Sequence, residues 1–278
     1  MHNALRPNVP VQIGFRPQIK VTETLCYSPR NISPRLPGCR CARSSLQVQS
    51  HRVKNVPLLL GHRGTKSRLI PENTIEAFDA ALQHGCDGFE FDVRLTRDRH
   101  PVVCHNARSR GRWLAKSNFA QCAHLPRLEE VIGVFGKRAF LDIELKVRGM
   151  EELVLSALHQ HPPERGYVVS SFLKEVLVKL RALSESTPLG IICDRSLPNW
   201  RKLPVNYVIP RTSLVTRALM EELHSAQKCL VAWTVNDKAS MLRLTSWKVD
   251  GIISDKTDLL VETLRPNRNL NSTSSVGS

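Results

Sequence analysis

Short apolar runs and longer amphipathic stretches alternate along the sequence from Pro57 onward. A short apolar run is typical of a buried strand, whereas apolar residues three and four apart are typical of a helix that packs on one face. Strand followed by helix, repeated along the chain, predicts βαβ units, because neighbouring parallel strands need a crossover connection. The alternation therefore predicts an α/β fold around a parallel sheet and excludes coiled-coil and collagen-like folds.

The pattern marks eight strands and six helices. The strands are predicted at Leu58–Leu60, Gly88–Val93, Ala139–Lys146, Tyr167–Ser170, Leu189–Cys193, Tyr207–Ile209, Leu230–Val235 and Gly251–Ser254. The helices are predicted at Thr74–His84, Leu128–Phe135, Met150–His161, Leu173–Leu183, Thr216–Ala226 and Lys238–Thr245. Eight strands in about 210 residues predict a compact, closed (β/α)8 TIM barrel, with a short insertion after the second strand. A doubly wound open sheet is the competing architecture, but no GxGxxG motif follows the first strand.

The barrel is expected to occupy residues 57–264, with an unstructured segment on either side. Residues 1–56 contain six prolines and no sustained periodicity, and are predicted to be a disordered basic extension. A targeting segment and a wrongly assigned start codon are the alternative interpretations of that stretch. Residues 265–278 are rich in Asn and Ser and are predicted to be a disordered tail.

Composition narrows the class of protein. The 278 residues are 41% hydrophobic and 23% charged, which is ordinary for a globular chain, and no apolar run approaches the roughly 20 residues of a membrane-spanning helix. Of the net charge of +15, residues 1–56 carry nine basic residues against one acidic residue. The barrel itself is moderately basic, which suits an anionic substrate as well as DNA. No basic platform with interleaved aromatics appears, so no nucleic-acid partner is expected.

Eight cysteines occur at irregular spacing, and no secretory h-region opens the sequence. We therefore expect free thiols in a reducing compartment and a cytoplasmic location. No feature indicates an obligate protein partner.

Charged side chains cluster at the predicted strand ends, where the active sites of TIM barrels lie. Glu90 and Asp92 share one face of the second strand, and Glu144 and Lys146 share one face of the third, because side chains alternate along a strand. Three carboxylates this close are costly without a cation, and oxygen ligands suit Ca²⁺ or Mg²⁺. Solvated or ion-paired strand ends are the alternative. The convergence of all three favours a site for one divalent cation.

Two histidines flank the same end of the predicted barrel. His62 ends the first strand, and His105 ends the apolar run that begins at Pro101. A pair of histidines can act as base and acid in one reaction near neutral pH. Arg63 and Lys146 add positive charge suited to phosphate oxygens. Together these residue types favour phosphoryl chemistry over hydride or acyl transfer.

The motifs resemble those of the glycerophosphodiester phosphodiesterase family over about Leu58 to Leu260. The resemblance is carried by Gly61–Gly64, Pro71–Thr74, Glu90–Val93, Pro101–His105, Leu125–Val131, Asp142–Lys146, Trp233–Asn236 and Asp250–Asp255. It implies hydrolysis of a small phosphodiester to sn-glycerol 3-phosphate and an alcohol. In the mechanism drawn for the family, one histidine assists attack by the substrate's own glycerol hydroxyl and the other protonates the leaving alcohol.

The resemblance also implies a role for each matching position. His62 and His105 match the acid/base pair of the family. Its ligands for Ca²⁺ or Mg²⁺ match Glu90, Asp92 and Glu144, and its substrate contacts match Arg63, Lys146 and Trp233. Lysophospholipase D-like activity and a catalytically idle phosphodiester binder stay open as alternatives.

The sequence departs from the family pattern at the position after the second histidine, where Asn106 replaces the usual Asp, and in the turn at Arg99, where Gly is usual. The segment between His105 and Leu125 is also shorter than in many relatives. Its basic side chains, which accompany Trp113, are Arg108, Arg110, Arg112 and Lys116. A solvated basic loop is the favoured interpretation. The alternative is a lid that steers anionic substrates or makes transient contact with anionic lipid.

Overall fold

The computed structural model describes residues 56–266. The expected extension at 1–56 and tail at 265–278 therefore lie outside the described residues, apart from residues 56, 265 and 266. The strands of the described part are β1 (Leu58–His62), β2 (Gly88–Leu95), β3 (Pro101–Val103), β4 (Arg108–Ser109), β5 (Arg112–Trp113), β6 (Phe140–Leu145), β7 (Tyr167–Ser171), β8 (Leu189–Cys193), β9 (Tyr207–Pro210), β10 (Cys229–Ala232) and β11 (Gly251–Ser254).

The helices of the described part alternate with these strands. They are α1 (Ile75–Gln83), α2 (Leu128–Phe135), α3 (Glu151–Gln160), α4 (Lys174–Leu183), α5 (Arg217–Ser225), α6 (Lys238–Ser246) and α7 (Thr257–Leu264). None of the helices between residues 56 and 266 is long and apolar enough to cross a bilayer.

Eight parallel strands close into a barrel. Their order is β1, β11, β10, β9, β8, β7, β6 and β2, and β2 pairs back onto β1 with Leu60 opposite Gly88. The predicted TIM barrel is thus confirmed, and the competing open sheet is wrong. Between β2 and α2 lie β3, which pairs antiparallel to β2, and a separate hairpin of β4 and β5. This is the insertion expected after the second strand.

All eight predicted barrel strands and all six predicted helices form, with small differences at their ends. The largest difference is at β10, which ends at Ala232 rather than Val235. Trp233 keeps only an isolated bridge to Arg211 there, and its indole Nε1–H donates to the carbonyl of Ile209 (3.0 Å). The sequence analysis missed α7, an eight-residue helix that buries Leu260 and Val261. Two turns of amphipathic pattern are too short to stand out from a loop.

Side-chain alternation along β2 separates the core from the site. Phe89 and Phe91 point outward to the helices, where they join Phe78 and Phe135 in a fully buried aromatic cluster. The rings of Phe78 and Phe89 stack with centroids 4.2 Å apart. The alternate residues of β2, which include Glu90, point into the barrel. Burial of the phenyl rings therefore fixes which way the carboxylates face.

Gly88 begins β2 where the backbone of β6 leaves no room for a side chain. A Cβ at this position would lie 1.9 Å from the carbonyl oxygen of Phe140 on β6. Gly88→Ala should lower the free energy of unfolding by about 3 kcal/mol, because the two strands must separate. Urea denaturation followed by circular dichroism measures the change.

Gly133→Ala is the matched control, since Gly133 is exposed on α2 and a Cβ there meets nothing within 4 Å. This variant should be as stable as the parent or more stable by up to about 1 kcal/mol. Equal stability of the two variants would contradict the packing argument.

Candidate active site

The predicted site residues meet at the end of the barrel where the parallel strands finish. One cavity there is lined by His62, Arg63, Glu90, His105, Asp142, Glu144, Lys146, Phe172, Ile192, Ile209, Trp233 and Ile253. Asp92 is fully buried beside it, where its carboxylate contacts Arg63 and Lys146. The structure thus brings all eight residues singled out from the sequence to one place.

The three predicted metal ligands converge. One carboxylate oxygen from each of Glu90, Asp92 and Glu144 lies within 4.8 Å of the other two, and all three residues are buried. Oε1 of Glu90 is buried and has no hydrogen-bond partner among residues 56–266. Burial, reinforced by the charges of Asp92 and Glu144, raises the pKa of Glu90 well above its usual range. The pKa of Glu144 rises to about 7, mainly because it is buried.

These oxygens have the chemistry that a cation site requires. Uncompensated carboxylates in a low-dielectric cavity resist ionisation, and a bound cation relieves that cost. The donor set is all oxygen, which suits a hard divalent ion. The orphaned oxygen of Glu90 supplies the independent sign of fit, because buried polar atoms in native proteins nearly always have a partner. The cluster can therefore hold a metal ion.

Two cationic side chains border the cluster. Lys146 Nζ lies 2.8 Å from Oδ1 of Asp92 and 2.6 Å from Oε1 of Glu144. Arg63 Nε lies 3.1 Å from Oδ2 of Asp92. Burial opposes ionisation of Asp92, but Lys146 and Arg63 outweigh it and hold the pKa of this carboxyl below its usual value. Asp92 therefore stays charged, whereas burial favours the neutral form of Glu90 and Glu144.

The loop after β1 places Arg63 over the cluster. Arg63 and Gly64 both adopt left-handed backbone, with φ of 55° and 82°. Gly64 is required, because a Cβ there would lie 2.5 Å from the backbone of Ala77 on α1. The Arg63 N–H donates to Oε2 of Glu90 (3.1 Å). This turn ties the end of the first strand directly to a ligand on the second.

Asn73 is a site residue that the sequence analysis did not single out. Its side-chain amide donates to Oδ2 of Asp92 (2.8 Å), and its Oδ1 accepts from the Asp92 N–H (3.2 Å). Glu72, which precedes it, accepts from Nη1 of Arg63 (2.8 Å). Both residues belong to the Pro71–Thr74 motif. The contact between Asn73 and Asp92 was not predicted, because the motif lies before a helix rather than at a strand end.

A carboxylate orients His62. The Nδ1–H of His62 donates to Oδ1 of Asp255 (2.6 Å), and Oδ2 of Asp255 accepts from the side-chain amide of Asn236 (2.7 Å). Partial burial would raise the pKa of Asp255, but the hydrogen bonds from His62 and Asn236 hold it below its usual value. An ionised carboxylate thus fixes the ring and leaves Nε2 facing Oε2 of Glu90 at 3.8 Å. The signal in the sequence is that Asp255 directly follows β11, the neighbour of β1.

The second histidine has a neutral partner. Nδ1 of His105 lies 3.1 Å from the amide oxygen of Asn106, and an amide oxygen only accepts, so Nδ1 carries the proton and Nε2 is left basic. Partial burial lowers the pKa of His105, with the positive charges of Arg63 and Lys146 adding to the effect. Asn106 therefore orients the ring as a carboxylate would, but without adding negative charge.

Asp142 is a fourth inward-facing carboxylate, two residues before Glu144 on β6. Burial raises its pKa to about 7, and it accepts a hydrogen bond from the hydroxyl of Ser170 (2.5 Å). The side-chain period of two along β6 was the signal that could have identified it. The hydrogen bond to Ser170 gives Asp142 a partner that Glu90 Oε1 lacks.

The other half of the cavity is apolar. Trp233 forms part of the wall, and Phe172 meets its ring edge to face with centroids 5.8 Å apart. Ile192, Ile209 and Ile253 complete this side. Phe172 was missed because an aromatic residue that follows a strand looks like ordinary core. The cavity thus offers a charged half for an anion and an apolar half for a less polar group.

Comparison with known proteins agrees with this arrangement. The sequence model of the Glycerophosphoryl diester phosphodiesterase family matches residues 62–110 and 115–259. Protein YhdW of Bacillus subtilis (strain 168) is 30% identical over 240 residues, which cover 73% of this chain and 96% of YhdW. A glycerophosphodiester phosphodiesterase of Caldanaerobacter subterraneus subsp. tengcongensis is 29% identical over 239 residues, covering 75% of this chain and 98% of that protein.

A solved structure extends the comparison to the fold. The Oleispira antarctica phosphodiesterase in complex with the product sn-glycerol-3-phosphate superposes with a TM-score of 0.67 at 26% identity, over 75% of this chain and 96% of that one. The family match covers more than half of the chain and includes every residue of the acidic cluster. The chain therefore belongs to the glycerophosphoryl diester phosphodiesterase family.

Proposed function

We propose that this protein is a metal-dependent enzyme that hydrolyses glycerophosphodiesters to sn-glycerol 3-phosphate and an alcohol. The observation that carries the proposal is the single cavity in which the acidic cluster meets two histidines and two cations. Its agreement with the family match separates this function from an idle binder, because both proton carriers and all three carboxylates are present. The substrate is a small phosphodiester whose phosphate lies among these charges.

The cation is proposed to be Ca²⁺ or Mg²⁺, held by Glu90, Asp92 and Glu144. All three donors are hard carboxylate oxygens, which these two ions prefer over softer metals. When bound, the ion would withdraw charge from the phosphoryl oxygens as the reaction proceeds. Arg63 and Lys146 supply further positive charge on the same side of the cavity and so favour the anionic substrate.

The two histidines have different partners, which suggests different roles. His105, with a lowered pKa and a neutral partner, is suited to accept the proton of an attacking hydroxyl at Nε2. His62, paired with the ionised Asp255, is suited to donate a proton from Nε2 to the leaving alcohol. Attack by the substrate's own glycerol hydroxyl would form a cyclic phosphate and release the alcohol. Water would then open the ring with the proton transfers reversed, which yields sn-glycerol 3-phosphate.

A lysophospholipid is the second candidate substrate. The apolar half of the cavity runs from Ile253 to Phe172, whose side chain is partly exposed at the rim. An acyl chain attached to the glycerol could lie along this side. Competition between glycerophosphocholine and lysophosphatidylcholine for the same enzyme would rank the two substrates by kcat/KM.

Release of glycerol 3-phosphate from glycerophosphocholine should require both a divalent cation and His62. EDTA should abolish it, and added Ca²⁺ or Mg²⁺ should restore it. His62→Ala should lower kcat by roughly 10²–10⁴-fold, because proton transfer to the leaving group is lost. An enzyme-coupled assay of glycerol 3-phosphate measures each rate.

His159→Ala is the matched control, since His159 is exposed on α3, outside the cavity. It should keep the parent rate. Release that is insensitive to EDTA, or equally fast in the His62 variant, would contradict the proposed function.

Asp255→Asn should lower kcat by roughly 10–100-fold with little change in KM, because the charge that fixes His62 is removed while the substrate contacts remain. Steady-state kinetics on glycerophosphocholine separate the two constants, and thermal unfolding checks the fold. Asp258→Asn, an exposed neighbour, should behave as the parent. A parent-like kcat in the Asp255 variant would show that the hydrogen bond has no role in turnover.

Asn106→Asp should move the pH profile to higher pH. A carboxylate beside Nδ1 favours the protonated ring, so the pKa of His105 should rise by roughly one unit. If His105 acts as a base, it must be neutral, so the acidic limb of the kcat/KM profile shifts to higher pH. If His105 acts as an acid, it must be protonated, so the basic limb of the profile shifts to higher pH instead. An unchanged profile would mean that His105 does not titrate in turnover.

A further inference from the structure

The insertion after β2 contains a tight hairpin that follows the cavity residue His105. Arg108 pairs with Trp113 across the two strands, and the turn between them consists of Arg110 and Gly111. Both turn residues have positive φ (46° and 78°), which is the requirement of a type I′ turn. The Leu114 N–H donates to the carbonyl of Ala107 (3.0 Å), and the Leu114 side chain is buried. The hairpin is therefore held in place by the fold at its base.

The hairpin presents one aromatic ring and three guanidinium groups to solvent. Trp113 is 46% exposed, and the guanidinium of Arg108 lies 4.5 Å from the centre of its ring. Within residues 56–266, none of Arg108, Arg110 and Arg112 forms an ion pair with a carboxylate. Their positive charge is thus available to an external anionic surface.

Of the other exposed large apolar side chains in the described part of the chain, four lie on the outer helices and three on loops at the same end of the barrel. Leu69, in the loop after β1, is 92% exposed, and Phe172, directly after β7, is 41% exposed. Leu197, in the connection after β8, is 37% exposed. An isolated exposed apolar residue needs no explanation, but these three lie, with Trp113, on connections that follow the carboxyl ends of strands, where the cavity opens. We call the hairpin and these three residues the mouth surface.

Charge is also concentrated at this end. The connection from β8 to β9 runs from one end of the barrel to the other and belongs to neither end alone. The remaining loops at the carboxyl ends of the strands contain 14 Lys and Arg against four Asp and Glu. The loops at the opposite end, together with the described residues that follow α7, contain six against four. The positive charge of the barrel is thus directed toward the mouth rather than spread evenly.

We propose that the mouth surface docks on an anionic phospholipid bilayer. Trp113 would lie at the level of the headgroups, where indole rings are favoured, and Leu69 would insert beside it. The arginines of the hairpin complement anionic headgroups. A nucleic acid would use the same charges but would give the aliphatic side chains of Leu69 and Leu197 no apolar environment. Docking would place the cavity entrance at the membrane, independently of whether turnover follows.

The test is flotation of the full chain with vesicles of phosphatidylcholine, alone or mixed with phosphatidylglycerol. Binding should require phosphatidylglycerol and weaken at high salt. Each basic residue near an anionic surface contributes about fivefold to binding. The triple variant R108S/R110N/R112S should therefore lose at least about tenfold in its vesicle partition coefficient. Trp113→Phe should abolish the blue shift of tryptophan emission that vesicles induce in the parent.

The matched control removes the same charge from the opposite end of the barrel. In K137S/R165S/K248N, as in the hairpin variant, two residues become Ser and one residue with positive φ, here Lys248, becomes Asn. It should bind vesicles as the parent does. Equal loss of binding in both triple variants would overturn the proposal, because the whole charge of the chain would then be responsible.

Two further outcomes would also overturn docking. In the first, the hairpin variant binds vesicles normally but shows a lower kcat/KM for glycerophosphocholine at low salt, so the hairpin steers soluble substrate. In the second, the parent ignores vesicles but binds a DNA duplex, and the hairpin variant does not, so the surface serves nucleic acid. Loss of vesicle binding in the hairpin variant alone, with the tryptophan shift, supports the bilayer.

Discussion

The carboxylates on β2 and β6 are buried at the mouth of the barrel, and the rest of the site is arranged around their charge. Burial of an unpaired carboxylate costs several kcal/mol, which the fold tolerates only because the strands are held from the other side. On β2, Phe89 and Phe91 alternate with Glu90 and Asp92, so the same residues that complete the aromatic cluster force the acids inward. The strand cannot slip by one residue without turning both phenyl rings into the barrel and both acids toward the apolar helix layer.

The surrounding groups divide that negative charge unequally. Asp92 has Lys146, Arg63 and Asn73 as partners, and it remains ionised. Glu90 has a backbone N–H on one oxygen and no partner in the described chain on the other. The ionised carboxylate of Asp92 therefore lies beside the carboxylate of Glu90, which has a hydrogen-bond partner among the described residues on only one of its oxygens. This inequality distinguishes the cluster, which could hold a metal ion, from a fully satisfied network of ion pairs.

The fold followed from the sequence because its signals are local. The spacing of the apolar residues predicted all eight barrel strands. The alternation of side chains along each strand predicted that Glu90, Asp92 and Glu144 lie close together. The contacts that were missed are distant in sequence or lack periodicity. Asp255 lies 193 positions from His62, so their hydrogen bond depends on closure of the barrel between β11 and β1. Asp142 is the exception, because the alternation of side chains that identified Glu144 also places Asp142 on the inward face of the strand.

The cavity and the surface around it are each divided into a charged part and an apolar part. Inside, the charged half is formed by residues of β1, β2 and β6, and the apolar half by Phe172, Trp233 and three isoleucines. Outside, the hairpin after β2 is basic, whereas Phe172 continues the apolar wall to the rim. A phosphodiester derived from a lipid is itself divided into a charged phosphate and a less polar remainder. One orientation of such a molecule therefore satisfies both the interior of the site and its entrance.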